Sequence, residues 1–220
     1  MPNPRVAVSV GEATTLCGQA ARRHLEEAGC EVVAFDATGT GGRAMEERIA
    51  AGHFAAVLDL TTTELADELI GGVRTAGPDR LTAAALKGQP QVIGVGALDM
   101  VSFGPRDRVP AKFAARRFHE HTATVTLMRT TPEENDRLGL EIAQKACASK
   151  GPTAILVPLR GVSALDCEGG PFHWPEANAA LFQSLRNWVA GVELIELDLH
   201  INDPAFAQAA TATLLRLMKA

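Results

Sequence analysis

Strand-like runs alternating with helix-periodic stretches predict an α/β chain, a mostly parallel sheet flanked by helices in three layers. Three observations carry this. Short runs rich in β-branched residues recur along the 220 residues. Apolar residues between them return at helical spacing. A hydrophobic content of 46% with 21% charged residues matches a folded chain and excludes wholesale disorder.

The elements follow in order. Arg5–Val10 (RVAVSV) reads as a buried strand. Cys17, Ala21, Leu25 and Ala28 then mark a helix that Gly29 closes in the left-handed conformation. Glu31–Phe35 is a second strand, and Met45 and Ile49 mark a helix ending at Gly52. Ala55–Leu60 is a third strand. Thr61 and Glu64 have capping-box spacing for a helix through Ile70. Pro78–Lys87 reads as a short helix and Gln91–Val95 as a fourth strand. Residues Ala97–Ala123 show no clean period, as functional or mobile segments often do. Thr124–Met128 resumes the strand pattern as a fifth strand. Thr131-Pro132-Glu133-Glu134 starts a helix to Ala148, with threonine as cap, proline at the first helical position and Glu134 reaching back. Thr153–Val157 is a sixth strand and Pro158–Trp174 a second irregular stretch. Pro175 opens a helix carrying Leu181, Phe182, Leu185 and Val189. Glu193–Leu197 is the last strand. Asp203-Pro204 starts the final helix, with Phe206, Ala210 and Leu214 on one face.

Several classes fall away. No run of about 18 apolar residues is present to span a bilayer, and the N-terminus lacks the pattern of a secretory signal. A net charge of −5 argues against a broad nucleic-acid surface. Cys17, Cys30, Cys147 and Cys167 form no CxxC pair, so neither a zinc knuckle nor a disulfide framework is signalled. A reducing cytoplasm is the expected location. Without repeats or linkers, residues 1–220 read as one domain.

Right-handed crossovers bring the carboxyl ends of all parallel strands to one edge, where open α/β sheets bind ligands. The loops predicted there are rich in hydroxyls, glycines and charge. After the second strand comes Thr38-Gly39-Thr40-Gly41-Gly42-Arg43. Its glycines permit close approach of a ligand, the helix start offers N–H groups to an anion, and Arg43 adds a bidentate donor. It matches neither GxxxxGK[ST] nor GxGxxG, and a glycine-rich turn with a solvated arginine explains it equally well. After the third strand, Thr61 and Glu64 suffice as caps, while Asp59 and Thr62 are left open to meet a ribose or a carbonyl group. Gly94, Gly96 and Asp99 follow the fourth strand, and Arg129, Thr130 and Thr131 the fifth. His119 and His121 form an HxH pair without a third metal ligand nearby, and no metal is expected. Asp198, His200 and Asp203 offer a general base or, for Asp203, an N-cap. Ser163 lies outside a GxSxG elbow.

Segments spanning nearly the whole chain, among them ATGTGGRAMEERI (37–49), LDLTTTELADELIGGV (58–73), GALDMVSFGPRD (96–107), TVTLMRTTPEEN (124–135), GGPFHWPEANAALF (169–182) and ELDLHINDPAFA (196–207), resemble the C-terminal domain of the Tm-one-like ATP-binding proteins. The resemblance implies a Rossmann-like α/β domain. It also implies longer relatives with a separate N-terminal α/β domain, for which this chain has no room. Self-association is implied as well. The positions that match the family are Thr38 to Arg43, Thr61 to Glu64, Asp99, His121, Arg129 to Thr131, His200, Asn202 and Asp203. After His121 the family continues with asparagine and proline, where this chain has Thr122 and Ala123.

Three functions compete. The first is a phosphate-, nucleotide- or small-anion-binding domain, with ATP as the implied cofactor and an N-terminal-domain partner chain or a homo-oligomer completing it. Its ligand contacts fall on Thr38–Arg43, Thr61–Thr63, Asp99 and Arg129–Thr131. The second is a hydrolase or lyase acting on a small anionic carbonyl or acyl substrate, with Arg43 and Arg129 clamping the anion and His121 or His200 as general base, oriented by Asp198 or Asp203. The third is a protein-interaction subunit without chemistry of its own.

Overall fold

A computed structural model describes residues 3–219. Nine strands and seven helices follow one another as β1 (Arg5–Val10), α1 (Thr15–Glu27), β2 (Glu31–Asp36), α2 (Thr40–Ala50), β3 (Ala56–Thr61), α3 (Glu64–Ile70), α4 (Ala83–Lys87), β4 (Gln91–Gly96), β5 (Met100–Phe103), β6 (Phe118–Thr122), β7 (Val125–Arg129), α5 (Pro132–Cys147), β8 (Thr153–Pro158), α6 (Pro175–Trp188), β9 (Glu193–Leu197) and α7 (Pro204–Leu217).

Six of the strands form a wholly parallel sheet in the order β2-β1-β3-β4-β8-β9. Strand residues alternate between the two faces, so each face builds its own core. One face presents Val6, Val8, Leu58, Val92 and Leu156 to Cys17, Ala21 and Leu25 of α1 and to Phe206, Ala210 and Leu214 of α7. Ile93, Val95, Ile155 and Val157 point the other way, onto Leu65 of α3, Leu138 and Ile142 of α5, and Leu181 and Leu185 of α6. Ala7 and Val57 join that side beneath Met45 and Ile49 of α2. The result is the three-layer, Rossmann-like arrangement expected. Its strand order reverses between β1 and β3, so a crevice opens outside their carboxyl ends. Gly29 and Gly52 both take positive φ, +86° and +80°, where the helices before them stop.

Three expectations need correction. The fifth strand does not join the parallel sheet. Residues Ala97–Ala123, read as irregular, contain β5 and β6, and these sandwich β7 in a separate antiparallel sheet of order β5-β7-β6. Their signal is weak because β5 is only four residues long and buried throughout, while His119, Glu120 and His121 interrupt the apolar pattern of β6. The helix predicted over Pro78–Lys87 begins only at Ala83, because Leu81 takes φ 71°, outside the helical region. Finally, Thr61 and Glu64 do not cap α3, whose N-cap position is Thr63, with no side-chain bond to the helix's own N–H groups. By contrast, Thr131 and Glu134 form the complete reciprocal capping box on α5. Among the described residues, no helix is long and apolar enough to cross a membrane.

Candidate functional site

The glycine loop does bind an anion, and that anion belongs to the chain. The N–H groups of Gly39 and Gly42 donate to Oε1 of Glu64 at 2.6 and 3.2 Å. Only glycine fits at 42, because a Cβ there would collide with the Glu64 carboxylate. The other oxygen, Oε2, accepts from Nε of Arg80 at 2.6 Å. Arg80 is fully buried and also meets both carboxylate oxygens of Asp59 and, at 3.1 Å, Glu46. Burial opposes its charge, yet Asp59, Glu64 and Glu46 outweigh that and raise its pKa well above the ordinary value. Asp59 and Glu64 are therefore spent on Arg80, as are the loop's inward N–H groups on Glu64. Thr38 and Thr40 remain exposed.

The arginine of that loop has a different task. Arg43 Nη1 donates to the carbonyl of Thr75 at 2.7 Å. Gly39, at φ +89°, packs so closely on residues 74 and 75 that a Cβ would lie 2.7 Å from the Thr75 carbonyl. The loop after α3 is thereby fixed from one side. Asp67 fixes it from the other, where a single oxygen, Oδ1, accepts from the backbone N–H of Arg74 at 3.0 Å and of Ser102 at 3.1 Å. Burial pushes the Asp67 carboxyl up to about 7, against these two bonds.

Arg74 and Ser102 line a cavity of about 120 Å³ in the crevice at the strand-order reversal. Its first wall is the turn after β1, Gly11, Glu12 and Ala13; its second is Thr61 and Thr63 at the end of β3. Met100 and Leu127 of the antiparallel sheet supply an apolar side, and His121 of β6 completes the lining on that side. This size is close to the ~150 Å³ of an engineered cavity that takes benzene. The polar groups converge from different elements. Thr61 shares its hydroxyl with Thr14 at 2.7 Å. Ser102 makes no side-chain hydrogen bond and Arg74 no ion pair among the described residues. His121 Nε2 lies 2.8 Å from Glu12 Oε1. A register shift interrupts the β3–β4 pairing between Asp59 and Thr61, and Thr62, which donates to the Gly94 carbonyl at 3.0 Å, does not line the cavity.

A second charged centre lies behind the site. Arg129, fully buried, donates to the Phe172 carbonyl (2.8 Å), Thr130 (2.9 Å) and Asn178 (2.7 Å), and lies 3.6 Å from Asp166. Asp99 accepts from the Ser163 hydroxyl at 2.7 Å. Burial pushes Asp99 up to about 7, Arg129 opposing and Asp166 reinforcing the rise. Thr130 and Thr131 hold the start of α5. These residues brace the turn on which Ala97 and Met100 reach the cavity; Arg129 and Ser163 are committed to internal partners, while Oδ1 of Asp99 and of Asp166 are buried without a hydrogen bond.

Of the four residues expected to carry acid–base chemistry, only His121 lines the cavity, and Asp203 accepts from the His200 backbone N–H at 2.8 Å. His200 is held at both nitrogens, Nε2 on the Ser163 carbonyl (2.9 Å) and Nδ1 on the Asn202 N–H (3.1 Å). Asp198 is exposed and paired with Arg160, which holds its carboxyl below the usual range. Thr61 and Thr63 are the other expected residues that line the cavity. Sequence reading missed Glu12, Arg74, Arg80 and Ser102. The abrupt passage from the apolar run VAVSV to Gly11-Glu12 was the available signal for the first of these. Ser102 sits in a segment with no period, where burial is not legible, and Arg80 in a stretch read as the start of a helix that in fact begins only at Ala83.

The family model described as "Uncharacterised protein family (UPF0261) C-terminal domain" matches residues 3–218. A UPF0261 protein of Clostridium tetani is 47% identical over 98% of this chain and 54% of its own length. One from Rhizobium meliloti is 46% identical over 95% of the chain and 53% of its own. The ToMV resistance protein Tm-1(GCR237) of Solanum lycopersicum is 41% identical over 96% of the chain and 28% of its own. The chain thus spans about half the length of the bacterial relatives.

Proposed function

This chain belongs to the UPF0261 family, as its C-terminal domain, and on that premise we propose that it binds a small organic anion at the β1/β3 crevice. The observation that supports this is Arg74, whose backbone N–H is fixed by Asp67 and whose side chain, without an ion pair among the described residues, lines a benzene-sized cavity with an apolar side. Arg74 meets the carboxylate or phosphoryl group, the Ser102 and Thr63 hydroxyls orient it, and Met100 and Leu127 pack against the ligand's short carbon body. Arg43, Gly39 and Gly42 act one layer out, by holding the loop that carries Arg74. A nucleotide such as ATP places only its phosphoryl end in a space of this size. In that case its base and ribose lie outside, on a partner domain or a second copy of the chain.

Titration calorimetry with short 2-oxo acids, short-chain carboxylates, inorganic phosphate and ATP tests the reading. At least one small anion binds the wild-type chain, and Arg74→Gln loses about tenfold or more, the worth of a charged hydrogen bond of roughly 1.5–3 kcal/mol. Binding of none of these, or equal binding by Arg74→Gln, overturns it.

A further inference from the structure

The His121–Glu12 contact gives the cavity a chemistry beyond binding, and we infer that it is a proton-transfer site that enolises a small 2-oxo acid. This rests on the anion-binding reading above. A carboxylate only accepts hydrogen bonds, so at 2.8 Å from Glu12 Oε1 the Nε2 atom of a neutral His121 must carry the ring proton. That fixes the tautomer and leaves Nδ1 with the lone pair. A histidine oriented by a carboxylate and set at the wall of a small cavity is a general base with its orienting group in place. The pair joins two distant parts of the chain, the turn after β1 and strand β6 of the antiparallel sheet.

The rest of the wall selects the reaction. Arg74 holds a carboxylate. The Ser102 hydroxyl, without a side-chain hydrogen bond of its own, is available to a carbonyl oxygen that gains negative charge. Ser102 makes no hydrogen bond to His121 and so is not an activated nucleophile. Base, anion clamp and hydroxyl donor around one cavity of about 120 Å³ match a molecule of a few carbons bearing a carboxylate beside a ketone. The C–H next to the ketone gives its proton to Nδ1. Its electron pair forms the C=C bond while the carbonyl π pair moves to oxygen, where Ser102 donates to it. The imidazolium keeps its Nε2–H bond to Glu12. Nothing is oxidised or reduced, and reversal returns a proton that has exchanged with water.

The test follows the C3 protons of 2-oxobutyrate in D₂O by proton NMR, beside its binding measured by thermal shift. The wild-type chain accelerates exchange at least tenfold over the same concentration of free imidazole. His121→Gln and His121→Ala lose the acceleration but still show an Arg74-dependent thermal shift with 2-oxobutyrate. Glu12→Gln slows exchange while the Arg74-dependent thermal shift with 2-oxobutyrate persists, because the ring loses the carboxylate acceptor that fixes its Nε2 proton; a Glu12 that merely shapes the turn after β1 lowers exchange and binding together. Binding that depends on Arg74 without accelerated exchange overturns the proton-transfer role and leaves the anion site standing. Exchange undiminished in both His121 variants overturns it as well. Absence of 2-oxobutyrate binding removes both readings for this substrate class.

Discussion

Arg80 shows what one side chain can commit a fold to. It reaches Glu46 on α2, Asp59 on β3 and Glu64 on α3 from a turn that forms no regular element. Removing the cation from a buried ion cluster strands carboxylates that water cannot reach, so Arg80→Met should cost about 3–5 kcal/mol. At ~2–4 °C per kcal/mol for a chain of this size, Tm should fall by roughly 6–20 °C. Arg160→Ala, which breaks an exposed pair with Asp198, should leave Tm within error. Calorimetric unfolding of both variants checks the contrast. The raised carboxyl of Asp67 makes a second forecast. A carboxyl near 7 in the folded state and near 4 unfolded binds its proton more tightly when folded. Its contribution is full below about pH 4 and is lost as pH rises through about 7. Asp67→Asn stays neutral throughout and keeps an acceptor for the Arg74 and Ser102 N–H groups. Its urea midpoint should therefore gain on the wild type as pH rises from 5 to about 7 and level off above that; a constant gap over pH 5 to 7 would show that Asp67 does not titrate in that range.

Among the elements, the capped and strongly periodic ones were legible. The TPEE start of α5 was readable because both halves of the capping box are local in sequence. Thr131→Ala should cost about 1 kcal/mol, read from the urea midpoint. Glu64 stands at the same spacing from Thr61, yet it caps no helix of its own; it crosses to the start of α2, 22 residues earlier. Spacing alone cannot tell these two apart, since the difference lies in Arg80, which draws Glu64 inward. The same contact makes α2 sensitive to one methyl group. Gly42→Ala should shift Glu64 off the loop and weaken anion binding through the displaced 72–75 segment, without touching the cavity itself. Calorimetry that finds stability lowered but anion affinity intact would separate the loop from the site.

The molecule as a whole combines a parallel sheet, plain in the alternation of strands and helices, with an antiparallel arm that the sequence concealed. The edge at which a ligand site should lie was legible from the winding of the sheet; of the cavity's lining only Thr61, Thr63 and His121 were, because Arg74, Ser102 and Glu12 reach it from segments without period. Protection against exchange should divide the same way. β1, β3, β4 and β8 are buried on both faces, while β6 is only half buried and pairs on one side alone. Amides of β6 should exchange orders of magnitude faster than those of β3 or β4 in mass-spectrometric measurements, with β7 between them. Uniform protection would mean that the arm and the sheet open together.

The cluster around Arg80 also bears on how the chain is made. Three carboxylates at 46, 59 and 64 precede their shared cation in order of synthesis. While residue 80 is still inside the ribosome, closing α2 and α3 over β3 would bury negative charges with no counter-ion. The first three strands should therefore stay loose on the ribosome and settle together once Arg80 and the following turn emerge.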